Sequence, residues 1–399
     1  MPQPLRDHPL ARGKLADRSN AFLARAWDRG WLPPPDLDPQ ALWAIAERAH
    51  GDDVEAAGRS DEDVADFRER LERICASVQQ EADLNALGQA MAWGQLSRVV
   101  NNRLAFGKLW KARPELLDTR LAPPIIVLGH MRSGTTRIHK LLAADPAHSH
   151  TRYQDAFHPI PSIPGMNRMK SAIELAMLGA LNPWMQSIHP MAPRAVEEEL
   201  AWISAALHHS IYESQWHIPS YSAWSEARDP APIYREFARI LRSDAANRCL
   251  ADKPRVLKVP AFTEDIPALL AEFPDARLVI AERDHAAVHR SAVSLSANQM
   301  AVQSDICDLE RIEALWRHKI ELREARMEAA LKNWSGPISR LSFDALNADW
   351  EREMTRCYGE LGLDLSPQAL AAMRKQMVAS ASGRHHDHSQ QLERFSAES

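Results

Sequence analysis

The residues best placed to do chemistry follow one short apolar run. Ile125-Ile126-Val127-Leu128 leads into Gly129-His130-Met131-Arg132-Ser133-Gly134-Thr135-Thr136, and a helical pattern begins there. Two glycines with four residues between them, at a strand-to-helix turn, are the frame of a phosphate loop. Backbone amides and the positive end of a helix surround an anion there. In the Walker A version a lysine follows the second glycine; here Thr135 stands in that place, and the loop's cation is Arg132. Ser133, Thr135 and Thr136 add hydroxyl donors. Nucleotide hydrolases offset a triphosphate's charge with magnesium held by the Ser/Thr of the loop. A sulfuryl group on an adenylyl phosphate carries less charge, because its sulfur oxygens share one negative charge, and an arginine at the loop would serve it without a metal.

The elements that must hold this loop can be read from the pattern around it. From Pro123 onward, short bursts rich in Val, Ile and Leu (Ile125 to Leu128, Arg255 to Val259, Arg277 to Ile280 and Ile338 to Phe343) alternate with helical segments. That alternation predicts an α/β fold, a central parallel sheet with helices on both faces, in which ligands bind at the carboxyl ends of strands. Residues 151–250 are expected to form a long helical insertion on the acceptor side; Trp202, Trp216, Tyr221 and Trp224 there suggest an apolar or ring-bearing acceptor, but aromatic residues at such spacing are more often core. Residues 1–121 read as a helical N-terminal extension and 122–399 as the α/β domain. In the extension, Ser60 to Asp63 form a capping box before a stripe of Val64, Phe67, Leu71, Ile74 and Val78. These helices are expected to pack on the main domain and to carry no chemistry.

Composition removes several function classes. The chain has 399 residues, 45% hydrophobic and 25% charged, with a net charge of −5, which opposes general nucleic-acid binding. Its four cysteines, Cys75, Cys249, Cys307 and Cys357, are widely spaced and suggest neither a disulfide framework nor a zinc site. His385 to His388 lack partners at zinc spacing, so no metal is assigned. The N-terminus has no apolar signal core and no apolar run reaches the length of a membrane span, so a cytoplasmic protein is expected.

The motifs together resemble sulfotransferases that use 3′-phosphoadenosine 5′-phosphosulfate (PAPS), in a bacterial branch of that family. The loop is similar to their 5′-phosphosulfate loop. Arg255-Val256-Leu257-Lys258-Val259-Pro260 resembles their second strand, and Arg283 with Ser291 resembles their 3′-phosphate site. His189-Pro190-Met191, Glu197-Glu198 and Pro219-Ser220-Tyr221 are similar to the insertion, and Gly383-Arg384-His385 with Phe395 to the C-terminal loop. The resemblance implies PAPS as co-substrate and a small-molecule or lipid acceptor. It also implies donor contacts from Arg132, Ser133, Gly134, Thr135, Thr136, Arg283, Ser291 and Arg384. Arg132 and Lys258 are expected to stabilise charge during transfer, with Glu198 or His189 as general base. Where relatives carry Trp-Glu this chain has Tyr153-Gln154, and glutamine accepts no proton, so Asp155 and His158 stay as further candidates. Competing readings are an NTP-dependent kinase, in which Leu278 to Asp284 imitates a Walker B strand, and a non-catalytic nucleotide-binding module.

Overall fold

Ile125–Leu128 forms strand β1, and all four residues are fully buried because both faces of the sheet are covered. The computed structural model describes residues 10–380, so Arg384 and the C-terminal motif around it lie outside the described residues. Around β1 lie β2 (Ser149–His150), β3 (Arg255–Lys258), β4 (Arg277–Glu282) and β5 (Ile338–Ser342), in the order β2-β3-β1-β4-β5. Every pairing is parallel, with Val127 opposite Lys258 on one side and Val279 on the other. The sheet class and its four longer strands are those expected from the sequence. The two-residue β2 was not, since Ser149-His150 carries no apolar burst and pairs only at the edge.

This order makes the end of β1 a topological switch point. The chain turns to β3 on one side and β4 on the other, and a crevice opens at the carboxyl edge between them. Lys258 ends β3, Arg283 follows β4, and the Gly129 loop lies between.

The N-terminal helices are built into the body. Ser60 caps helix Asp61–Glu81 by accepting from the Asp63 amide at 3.2 Å, and Phe67, Leu71, Ile74 and Val78 are buried as the stripe predicts. They share one apolar cluster with Leu207, Tyr212, Trp216 and Tyr221 of the insertion. Helix Ala86–Ala112 docks on the end of helix His285–Gln303: the Asn85 amide donates to the Gln303 carbonyl at 2.9 Å. A Cβ on Gly88 would come within 2.0 Å of that carbonyl, so only glycine allows this approach.

Candidate active site

Gly129 has φ +141° and Gly134 has φ +93°, values that side chains with a Cβ rarely adopt. A Cβ at Gly129 would meet the Ala281 carbonyl at 2.8 Å, and one at Gly134 would meet the Phe343 ring at 2.8 Å. The loop is therefore shaped by glycine at both hinges, and Gly134 leads directly into helix Thr135–Ala144. Between them Arg132 holds φ +67°, and three partners fix it there, one of them the Ile188 carbonyl that accepts from its Nη1 at 3.1 Å. Its carbonyl accepts from Arg283 Nη1 at 2.7 Å, while its own Nε donates to Ser291 Oγ at 2.8 Å. Arg283 in turn lies 4.1 Å from the centroid of the Phe343 ring. The residues read as a loop arginine and a distant Arg…Ser pair thus meet at one point. Burial, and then for Arg132 the charge of Arg283, lowers the pKa of both guanidinium groups.

A lysine reaches the loop helix from the neighbouring strand. Lys258 is 1% exposed and sends Nζ to Thr136 Oγ1 at 3.3 Å, at the start of the loop helix. The same ammonium is paired with Glu198. Its amide is held by Glu199 Oε2 at 2.9 Å, and burial pushes the Glu199 carboxyl up to about 7. Next to Glu198, His189 Nε2 lies 3.1 Å from Glu197 Oε1. Burial opposes the imidazolium, but Glu197 and then Glu198 outweigh it and raise the His189 pKa, while His189 keeps Glu197 low against its own burial. His189, Glu197 and Glu198 bring ligand-type atoms within 4.8 Å of one another. The Lys258 ammonium is already on Glu198, so one cation and three acid or imidazole groups share this end of the site.

Loop, lysine and acid–histidine cluster open on one cavity of about 500 Å³, within the ~300–1,000 Å³ usual for small-molecule sites. Arg132, Thr135, Thr136, Lys258, His189, Glu197 and Glu198 line one end. Apolar side chains line most of the remainder, Met91, Met177, Leu178, Leu181, Met185 and Leu295 among them. The cavity decides one alternative and corrects one expectation. Trp202, Trp216 and Tyr221 are core residues at 0%, 1% and 1% exposure, and neither they nor Trp224 line the cavity. The N-terminal helices do more than pack, because Met91, Gln95 and Arg98 of helix Ala86–Ala112 form cavity wall.

A model of the sulfotransferase family matches residues 123–367, more than half of the chain. The chain belongs to the sulfotransferase family. Among solved structures, sulfotransferase STF1 from Mycobacterium tuberculosis H37Rv is 29% identical with a TM-score of 0.73, over 90% of this chain and 98% of that one. Sulfotransferase STF9 from Mycobacterium avium shares the fold at 22% identity, with a TM-score of 0.76 over 86% of this chain and 88% of that one. Comparison with curated proteins gives no significant match. Among the described residues of this sulfotransferase, no helix is long and apolar enough to cross a membrane.

The sulfotransferase site separates the four candidate bases. Asp155 binds Arg152 at 2.6 Å and Arg248 at 3.1 Å, and His158 binds Glu174 at 3.1 Å; neither lines the cavity. Gln154 Oε1 is buried without a hydrogen-bond partner and is likewise off the cavity wall. Glu198 and His189 are the two that line the cavity. The Walker B likeness of β4 also has a local explanation. Glu282 pairs with Arg340 at 2.8 Å, and Asp284 caps helix His285–Gln303 by accepting from the Ala287 amide at 2.9 Å.

Proposed function

We propose that this chain transfers a sulfuryl group from PAPS to a hydroxyl or amine of an acceptor in the cavity, by in-line displacement that needs no metal ion. One observation carries the reading. Arg132 and Arg283 meet at the loop, both have lowered pKa values, and neither makes an ion pair among the described residues. A buried cation with a second, half-buried one beside it is costly until an anion arrives, and a glycine-hinged loop at a helix N-terminus is where one is received. The 5′-phosphosulfate would be held by the loop amides with Ser133, Thr135, Thr136 and Arg132, and the 3′-phosphate by Arg283 and Ser291.

In the reaction the acceptor oxygen or nitrogen attacks sulfur, the bond from sulfur to the bridging phosphate oxygen breaks, and adenosine 3′,5′-bisphosphate leaves. Charge grows on the bridging and sulfuryl oxygens, next to Lys258 and Arg132. A fixed cation in a desolvated site stabilises that charge most where it develops. Glu198 takes the acceptor proton. His189, whose pKa Glu197 and then Glu198 raise against its burial, holds the acidic cluster in place through Glu197. The engagement of Glu282 with Arg340 and of Asp284 as a helix cap weighs against the kinase reading.

The test uses the one group that distinguishes PAPS from adenosine 5′-phosphosulfate. Wild type should bind PAPS more tightly, because a hydrogen bond to a charged group contributes ~1.5–3 kcal/mol, roughly ten- to a hundredfold. Arg283→Ala should erase most of that preference by weakening PAPS alone, and Ser291→Ala part of it. Equal weakening of both donors by Arg283→Ala would mean that the residue only shapes the loop through the Arg132 carbonyl. The 3′-phosphate would then be read elsewhere.

A further inference from the structure

The cavity's outer wall carries an apolar face that nothing in the site described above requires. Helix Met166–Leu181 turns Met177, Leu178 and Leu181 toward the cavity, yet Ile173 and Met177 remain 53% and 60% exposed. Met169, Ile173 and Met177 recur every four residues, which gives one outward stripe. Beside it runs helix Lys14–Asp28, with Leu15 and Phe22 at 45% and 56% exposure. A shallow groove between the two is lined by Leu15, Phe22, Leu23, Met177, Ala180 and Leu181. Met177 and Leu181 border both the groove and the cavity, so one helix separates an open apolar surface from the acceptor space.

The charge around this face is opposite to that of the whole chain. Lys14, Arg18, Arg25, Arg168 and Lys170 are exposed on these two helices and make no ion pair among the described residues. Of the acids there, Asp17 is paired with Arg12 and Glu174 with Arg98 and His158, which leaves Asp28. A chain with net charge −5 thus gathers free cations around its exposed apolar stripes. Contiguous exposed apolar surface marks an interaction site, and apolar side chains ringed by Lys and Arg are the pattern that binds anionic lipid headgroups.

We propose that helices Lys14–Asp28 and Met166–Leu181 seat this enzyme on an anionic lipid bilayer, and that the acceptor is a hydroxylated lipid whose apolar part enters the cavity. The methionine- and leucine-rich wall takes the apolar part, and the hydroxyl meets Glu198 and Lys258 at the loop end. The acceptor half rests on the sulfotransferase reading above; the membrane half does not.

Co-sedimentation with vesicles tests the membrane half with no donor present. Wild type should bind phosphatidylcholine vesicles containing a quarter phosphatidylglycerol, and bind pure phosphatidylcholine or the mixed vesicles at high salt less well. Phe22→Asp and Ile173→Asp lie outside the cavity and should each weaken that binding by about tenfold or more, since both apolar contact and charge are altered. Their affinity for adenosine 3′,5′-bisphosphate should stay that of wild type, which shows that they are folded. No vesicle binding by wild type, or equal binding by the variants, overturns the docking face. A dimer that Phe22→Asp turns into a monomer assigns the face to self-association and overturns it as well. The acceptor half is read by incubating wild type with sulfur-labelled PAPS and a total lipid extract in the same vesicles. Label in the organic phase is expected; label passing only to water-soluble alcohols overturns the lipid acceptor. Failure of all transfer together with failure to bind PAPS would instead strike the donor assignment.

Discussion

Glu198→Gln should lower kcat by about 10²–10⁴, the usual range for losing a positioned general base, while donor affinity holds or improves. Affinity is expected to hold because the substitution frees the Lys258 ammonium from its carboxylate partner to meet the donor's anion. The pH dependence separates Glu198 from His189. Acidic neighbours raise the His189 pKa, so the imidazolium persists below that value and is lost as pH rises through it. If Glu198 takes the proton, wild-type kcat should fall modestly over that rise as the cation disappears, and His189→Asn should flatten the fall at a smaller cost. A kcat that climbs with pH through the same region, with His189→Asn as damaging as Glu198→Gln, would make His189 the base.

Lys258→Ala and Arg132→Ala should each lower turnover by about 10²–10³, as loss of one preorganised donor to developing charge does elsewhere. The two should not multiply in the double variant, because both act on the same group of oxygens and the residual rate comes from binding alone. Affinity for adenosine 3′,5′-bisphosphate should fall much less in Lys258→Ala than turnover does. Lys258 is buried beside Thr136 and Glu198. Steady-state kinetics with product-binding titrations measure both. A loss confined to KM, with kcat intact, would reduce Lys258 to a simple binding residue.

The sequence was most legible where one physical demand falls on consecutive residues. The four buried positions of β1 and the two glycine hinges are local requirements, and they announced both the parallel sheet and the glycine-hinged turn into a helix. The relation of Arg132 to Lys258 is not local. It follows from β3 pairing beside β1, which places Lys258 opposite Val127 and brings its ammonium to Thr136. Only the family resemblance pointed to that lysine; spacing along the chain did not. The joint hold of Arg283 and Ser291 on Arg132 was foreseen only as two residues flanking an anion. The acceptor side was read least well. Trp202, Trp216 and Tyr221 left pocket and core both open, because aromatic groups serve either, and the structure spends them on cores. Met91, Gln95 and Arg98 carried no visible signal. Their place on the cavity depends on the Gly88 approach to Gln303, between segments more than two hundred residues apart.

The central claim is that a loop without the Walker lysine serves a sulfuryl donor rather than a triphosphate, and calorimetric titration tests it most directly. With a chelator present, PAPS and adenosine 3′,5′-bisphosphate should bind tightly, while ATP binds poorly whether or not magnesium is added. ATP binding that depends on magnesium and exceeds that of PAPS would contradict the sulfotransferase assignment of this site and favour a kinase.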